Sequence, residues 1–216
     1  MAESNTTKCI VVSGIDGSGK STLIEALKRE LESDGLNVGY IWLRFNHYLT
    51  KGMHAAARVF GLSVRIHNEM GDVWQHRLYE NESFCRIYIL TTYLDCLASR
   101  VKYNLAARGK DVMVVDRWIP DILVDLAVKT RLDEYIHKKW ESRFMMIMPS
   151  EAKVLVIERN KDALLGCRLE NRTDPEFERR LGIYRHLCKA EDVNVIDNNG
   201  TIGEAMSLID KVIGRK

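Results

Sequence analysis

Gly14-Ile15-Asp16-Gly17-Ser18-Gly19-Lys20-Ser21-Thr22 is the stretch that decides the fold of this chain. It matches the phosphate-loop pattern G-x-x-x-x-G-K-[ST] at every fixed position. The apolar run 9–13 precedes it and predicts a buried parallel strand. Residues 22–31 follow it and predict a helix, because their leucines and Ile24 fall on one helical face. Strand, glycine loop and helix are the context that this motif requires, so the sequence predicts a phosphate-binding site.

Each type of residue in the loop has a chemical reason to be there. Gly14 and Gly19 allow backbone N–H groups to curl around a phosphate, and the helix that follows points its positive end at the same anion. Lys20 adds a charge for the outer phosphates, and Ser21 offers a hydroxyl to Mg²⁺. The Asp16 carboxylate would repel a triphosphate, so we expect it to turn towards a second substrate. The residues predicted to bind the nucleotide are Gly14, Asp16, Gly17, Ser18, Gly19, Lys20, Ser21 and Thr22.

The bulk properties favour a single globular domain over residues 1–216. The net charge of +2 gives no support for binding to nucleic acid or to a membrane surface. The five cysteines are odd in number and form no CxxC pair, which indicates reduced thiols in a cytoplasmic protein. Residues 1–8 are polar, so no secretory signal is predicted, and no apolar run approaches the length of a membrane span.

The alternation of apolar runs with helical patterns predicts an α/β fold, in which a five-stranded parallel sheet lies between two layers of helices. The predicted strands cover 9–13, 37–45, 112–116, 153–158 and 193–197. The predicted helices cover 22–31, 81–108, a stretch from about Pro120, 132–148, 161–169, 176–190 and a final helix that Thr201 and Glu204 begin as a capping box and that ends near Ile213. Residues 46–80 are the least legible, and we expect a substrate-facing or mobile segment there.

The strand ends carry the other candidate site residues, because parallel strands place their carboxyl ends at one edge of the sheet. Asp116 ends an apolar strand, where a carboxylate either orients Mg²⁺ near a phosphate loop or merely caps a turn. The loop upstream favours the magnesium role. Arg117 follows directly and is suited to grip a second anion with two hydrogen bonds. Arg44 could hold the same anion or form a surface salt bridge.

Two further segments have alternative interpretations. The polar segment at about 166–180 is predicted to be a mobile lid, and we expect one or two of its arginines, Arg168, Arg172, Arg179 and Arg180, to act on phosphate. The long helix 81–108 carries an apolar stripe that predicts packing in the core or between two copies of the chain. That stripe consists of Leu90, Tyr93, Leu94, Leu97, Val101 and Leu105.

The loop 14–22, together with Asp116-Arg117-Trp118 after the third strand, resembles the thymidylate kinase family. That family shows a GxDGxGKST loop and a DR[YW] sequence at these places. Leu43-Arg44-Phe45 resembles its arginine after strand two, and the stretch from Ala163 to Arg172 resembles its lid. The strand at 195–197 with the closing helix is similar to its adenine-side strand.

The resemblance implies a P-loop kinase fold and the transfer of the ATP γ-phosphate to a nucleoside monophosphate, dTMP first, with Mg²⁺ and in a homodimer. Gly17 stands where some members carry an arginine, which implies that the catalytic arginine comes from the lid. The catalytic residues implied are Lys20, Asp116, Arg117 and Arg168 or Arg172. Those implied to bind the acceptor are Asp16, Arg44, Asp116 and Arg117. Those implied to hold the metal are Ser21 and Asp116.

The chain departs from the family on the side that recognises the base. Asn46-His47 replaces the usual proline and glutamate, and no arginine occurs at 94–96. After Asp116-Arg117-Trp118 the family tends to show a serine and later a base-reading glutamine or serine, whereas this chain has IPDILVDL at 119–126. A kinase for a nucleoside or for another phosphorylated metabolite therefore stays open. A nucleotide-hydrolysing switch is disfavoured, because Arg117 replaces the glutamate that many ATPases use to activate water.

Overall fold

The sheet at the centre of the protein has five parallel strands in the order β2-β5-β1-β6-β7. The structure is a computed structural model and describes residues 8–44, 48–68, 71–190 and 192–215. The strands of this sheet are Lys8–Ser13 (β1), Val38–Trp42 (β2), Val112–Asp116 (β5), Lys153–Glu158 (β6) and Val193–Asp197 (β7). The order places β1, and with it the phosphate loop, in the middle of the sheet, where neighbouring strands flank it on both sides.

Helices cover both faces of this sheet. They are Lys20–Ser33 (α1), Leu49–Val59 (α2), Glu82–Ala106 (α3), Ile119–Thr130 (α4), Asp133–Lys139 (α5), Glu141–Met145 (α6), Lys161–Cys167 (α7), Leu169–Thr173 (α8), Phe177–Leu187 (α9) and Ile202–Ile213 (α10). Successive side chains of β1 point to opposite faces, so Ile10 and Val12 pack with α1 and α10, whereas Cys9 and Val11 pack in the larger core on the other face. The predicted three-layer α/β/α arrangement is confirmed.

Residues 48–80 contain an element that the sequence did not reveal. After α2, the strands Ser63–Asn68 (β3) and Gly71–His76 (β4) pair antiparallel in a separate two-stranded sheet. The segment is anchored to α3 by a buried carboxylate, since Asp95 accepts hydrogen bonds from the backbone N–H groups of Leu49 and Thr50, at 2.9 and 3.0 Å, and from the Thr50 hydroxyl. Asp95 therefore caps the first turn of α2 from another helix.

Three predicted boundaries were wrong. The single helix expected over 132–148 is two helices, because the backbone leaves the helical conformation at Trp140. The second strand ends at Trp42, and its predicted last residue, Phe45, lies outside the described residues. The helix predicted over 161–169 ends at Cys167, and the separate short helix α8 follows it. The capping box of Thr201 and Glu204 is confirmed.

The stripe on α3 does not pack in the core. Five of its six members, all except Tyr93, are between 41% and 59% exposed, and Ile87 extends the row towards the start of the helix. The exposed residues are Ile87, Leu90, Leu94, Leu97, Val101 and Leu105. The core interpretation is therefore wrong for these residues, whereas Tyr93 packs edge-on against Phe144.

All five cysteines are free thiols. No helix in the described part of the chain is long and apolar enough to span a bilayer.

Replacing Asp95 should test how the segment 48–80 is held. Asp95→Ala leaves two backbone donors and one hydroxyl without their acceptor, and we expect the free energy of unfolding to fall by about 3 kcal/mol. Asp95→Asn keeps one oxygen acceptor and should lose less. Urea denaturation would measure both, and two variants as stable as the wild type would show that α2 is held by other contacts.

Candidate active site

The phosphate loop follows β1 and is shaped by glycines that no other residue could replace without strain. Gly14 has a φ of +136°, and a Cβ there would lie 2.6 Å from the carbonyl oxygen of Ile157 on β6. The carbonyls of Asp16, Gly17 and Ser18 are held from outside by Asn171, Arg159 and Asn198. Because C=O and N–H point in opposite directions in a trans peptide, this arrangement helps to turn amide N–H groups towards the cavity.

Lys20 begins α1 and is buried, with its side chain folded back over the loop. Its Nζ donates to the carbonyl of Ile15 at 2.6 Å and to Ser18 Oγ at 3.3 Å. Burial, together with the nearby positive charge of Arg117, lowers the pKa of Lys20 to about 7.

Arg44 and Arg117 both reach the same carboxylate. Arg117 Nη2 donates to one oxygen of Asp16, and Arg44 Nη1 lies 3.3 Å from the other. Burial acts to raise the pKa of Asp16, but Arg117, Lys20 and Arg44 outweigh it and hold that pKa below its ordinary value. Both carboxylate oxygens of Asp16 thus face arginine side chains. Two guanidinium groups that share one carboxylate are close enough to share one phosphate.

Two acidic residues of α4 hold these arginines in place. Asp121 is fully buried and accepts hydrogen bonds from Arg117 Nη1 at 3.0 Å, from Ser13 Oγ at 2.5 Å and from Tyr184 Oη at 2.7 Å. One turn later, Asp125 accepts from Arg44 at 3.3 Å and from Arg180 at 2.5 Å. Although burial acts to raise the pKa of Asp125, the cations around it lower that pKa.

The segment 166–180 lies against the phosphate loop. Asn171 is buried and donates both to the Asp16 carbonyl and to the Leu164 carbonyl, at 2.8 and 2.9 Å. The space beside Gly17 is occupied by this segment, since a Cβ on Gly17 would lie 3.3 Å from Arg168 Cγ. Arg172, in contrast, donates to the Leu165 carbonyl on α7.

The phosphate loop, the pair Arg44 and Arg117, and the segment 166–180 all border one cavity of about 610 Å³ at the carboxyl edge of the sheet. Its lining residues are Asp16, Gly17, Gly19, Lys20, Ser21, Thr22, Trp42, Arg44, Asp116, Arg117, Cys167, Arg168 and Glu170. Most of the residues predicted from the sequence thus lie together. Among the predicted arginines, Arg172 is outside this lining, and Arg179 pairs with Asp133 on α5.

Ser21 and Asp116 both line this cavity, which is the donor set that Mg²⁺ accepts when the nucleotide's phosphates and water complete its coordination. The Tyr40 hydroxyl donates to Asp116 at 3.0 Å, and burial with the nearby Asp116 charge raises the pKa of Tyr40 to about 12, so the phenol keeps its proton. Within the described residues, no group of three or more His, Cys, Asp or Glu side chains could hold a metal ion by itself.

The sequence did not predict Asp121 and Asp125 as site residues. Their contacts with Arg180 and Tyr184 of α9 were not predicted either. One signal in the sequence could have found them. Arg117, Asp121 and Asp125 are four residues apart at the start of a predicted helix, a spacing that puts acids on one face beside the arginine.

The lowered pKa of Lys20 predicts a proton uptake. At pH 8 a side chain with a pKa of about 7 is mostly neutral. A triphosphate beside it would raise that pKa, so binding of Mg·ATP should take up about one proton at pH 8 and far less at pH 6. Calorimetry in buffers of different ionisation enthalpy would measure this. No uptake at pH 8 would mean that Lys20 stays charged in the free protein.

Comparison with known proteins bears on the fold. No family model matches the sequence, and no curated protein sequence matches it. Among solved structures, the chain is similar to thymidylate kinase from Ehrlichia chaffeensis, with a TM-score of 0.56 and 16% sequence identity over 96% of this chain and 98% of that one. The similarity extends over nearly the whole of both chains, so the two proteins share a three-layer α/β/α fold.

Proposed function

We propose that this protein transfers the γ-phosphate of ATP to a nucleoside monophosphate, with dTMP as the first candidate acceptor. The cavity of about 610 Å³ carries the proposal, because the phosphate loop, the paired arginines and the lid segment all border it. Phosphoryl transfer needs two substrates aligned, positive charge on the moving group and water kept out. One cavity that brings these parts together supports a transferase better than a simple nucleotide-binding protein.

In this proposal the donor lies on the loop and the acceptor lies across the cavity. Lys20 turns from the Ile15 carbonyl to the outer phosphates of ATP, and Ser21 and Asp116 hold Mg²⁺, which would neutralise phosphate charge. Arg44 and Arg117 bind the phosphate of the acceptor, which competes for them with Asp16. Once released, the Asp16 carboxylate can accept a hydrogen bond from the acceptor's sugar hydroxyl.

We also propose that the lid segment supplies the catalytic arginine. Arg168 is the stronger candidate of the two predicted, because it lines the cavity and packs beside Gly17. Arg172 would need to leave the Leu165 carbonyl first. Both groups are exposed, so movement of this lid could bring either to the transferred phosphoryl group.

The first experiment measures ADP formation from Mg·ATP with a panel of nucleoside monophosphates, with thymidine as the unphosphorylated control. We expect selective turnover of dTMP, and we expect Lys20→Ala to reduce kcat at least 100-fold, since it removes charge that stabilises the transferred group. Lys153→Ala, an exposed lysine at the opposite end of the sheet, is the matched control.

Two results would contradict the proposal. Turnover of thymidine but not dTMP would make the protein a nucleoside kinase and would remove the roles given to Arg44 and Arg117. Absence of turnover across the whole panel, with ATP still bound, would show that the acceptor is not a nucleoside monophosphate.

The stripe on α3 supports a homodimer as the form of the enzyme. Ile87, Leu90, Leu94, Leu97 and Val101 are separated by alternating steps of three and four residues, the spacing at which two helices pack along a seam. The row is exposed over more than three turns of one helix, and a second copy presents an identical row.

Sedimentation velocity at micromolar concentration should therefore show a dimer. Leu94→Glu should convert it to a monomer, because a charge would be buried in the seam without a partner. Ile202→Glu changes an equally exposed apolar residue on α10 and should leave the dimer intact. A monomeric wild type, or a Leu94→Glu dimer, would contradict this assembly.

A further inference from the structure

A second cavity, of about 760 Å³, lies between α4, α5 and α9. It has no lining residue in common with the cavity at the phosphate loop. Its volume falls in the range of about 300–1,000 Å³ that is typical of small-molecule sites. The walls are aliphatic, and they include Leu123, Val124, Ala127, Ile136, Ile183 and Leu187. An apolar molecule would therefore find a separate place to bind on this protein.

A glycine in the middle of α9 keeps this cavity open. Gly182 lines the cavity and lies inside the helix Phe177–Leu187. A Cβ added there would have no described atom within 4 Å beyond its chain neighbours and the helix backbone, and the position has no positive φ. Neither close packing nor backbone conformation therefore requires a glycine, although glycine weakens a helix interior. What the glycine does is leave the space beside α9 empty.

Arg179 brings an unsatisfied donor to the same cavity. Its Nη2 donates to the Ala127 carbonyl at 3.2 Å and to Asp133 at 2.6 Å. Its Nε is buried and has no hydrogen-bond acceptor among the described residues. A buried donor without an acceptor is unfavourable. Since Arg179 is among the lining residues, an oxygen of a bound ligand can supply the missing acceptor once the guanidinium turns.

The acidic side chains of the lining already face partners. The pairs are Asp133 with Arg179, Glu134 with Lys138 and Glu141 with His137. Lys189 also lines the cavity, and in the described ranges no carboxylate lies within 4.0 Å of its ammonium. The charge that is left over at the rim is therefore positive, which favours an anionic group on the ligand.

We propose that the cavity between α4, α5 and α9 is a second ligand site, which binds an aliphatic carboxylic acid. The chain of the acid lies along the aliphatic walls in the space beside Gly182. Its carboxylate meets Arg179 and Lys189, and a guanidinium is well suited to a carboxylate because it offers several donors in one plane. Because the two cavities share no lining residue, this site does not depend on the proposed phosphoryl transfer.

Titration calorimetry of the full-length protein with sodium octanoate, sodium decanoate and 1-octanol tests both halves of this ligand. Decanoate should bind at one site and about 10-fold more tightly than octanoate, because each buried methylene group adds about fourfold in affinity. Octanoate should bind at least 10-fold more tightly than 1-octanol, since hydrogen bonds to a charged group are worth about 10- to 100-fold.

Variants locate the binding in the cavity. Gly182→Leu places a side chain in the empty space and should weaken decanoate binding at least 10-fold. Gly52→Leu is the matched control, because Gly52 is also a helical glycine with open space beside it and lines neither cavity. Arg179→Met should weaken octanoate binding about 10-fold and leave 1-octanol binding little changed. Thermal unfolding of each variant would show whether it folds.

Several outcomes would overturn this site. A folded Gly182→Leu variant that binds decanoate as the wild type does would place the acid elsewhere. Binding of decanoate at many sites, or equal affinities for octanoate and 1-octanol, would show nonspecific contact with apolar surface. Displacement of decanoate by saturating Mg·ATP would place it in the cavity at the phosphate loop, whereas unchanged binding supports a separate site. None of these results depends on whether the protein turns over dTMP.

Discussion

A single buried carboxylate, that of Asp121, connects the parts of the candidate site. It takes hydrogen bonds from β1, from the residue after β5 and from α9. An isolated charge in this position would be strongly unfavourable, and the three donors compensate it. Burial and the Asp121 charge keep the Tyr184 phenol protonated by raising its pKa well above the ordinary value. Because Arg117 is among the donors, the same contact that secures α9 to the sheet edge also fixes a guanidinium at the cavity.

The site without ligands satisfies its charges internally. Lys20 binds a carbonyl of its own loop, and Asp16 lies between Arg44 and Arg117. Lys20, Arg44 and Arg117, which the proposed substrates would contact, therefore each already have a protein partner. Substrate binding is then an exchange of partners. Each new contact therefore contributes less to the binding free energy than it would if the protein group had been unpaired before.

The fold could be predicted from the sequence because its signals are local. The loop 14–22 and the buried runs around it depend on neighbouring residues, and so does the capping box at Thr201. What could not be predicted depends on contacts between distant segments. Asp125 is an ordinary helical acid until α9 brings Arg180 to it, and the helix break at Trp140 has no glycine or proline to announce it. In the hairpin, β3 alternates Val64 and Ile66 with polar residues over a short stretch only, and β4 places Val73 and Trp74 side by side, so the pattern is too short and mixed to predict two paired strands.

The contact between Gly17 and the lid limits how this architecture can vary. A Cβ at Gly17 would lie 3.3 Å from both Arg168 Cγ and Cys167 Cβ, which is a tight contact. A longer side chain at this position would therefore compete with the lid for the space beside the loop. The absence of a side chain at Gly17 is thus what lets this part of the lid pack against the loop.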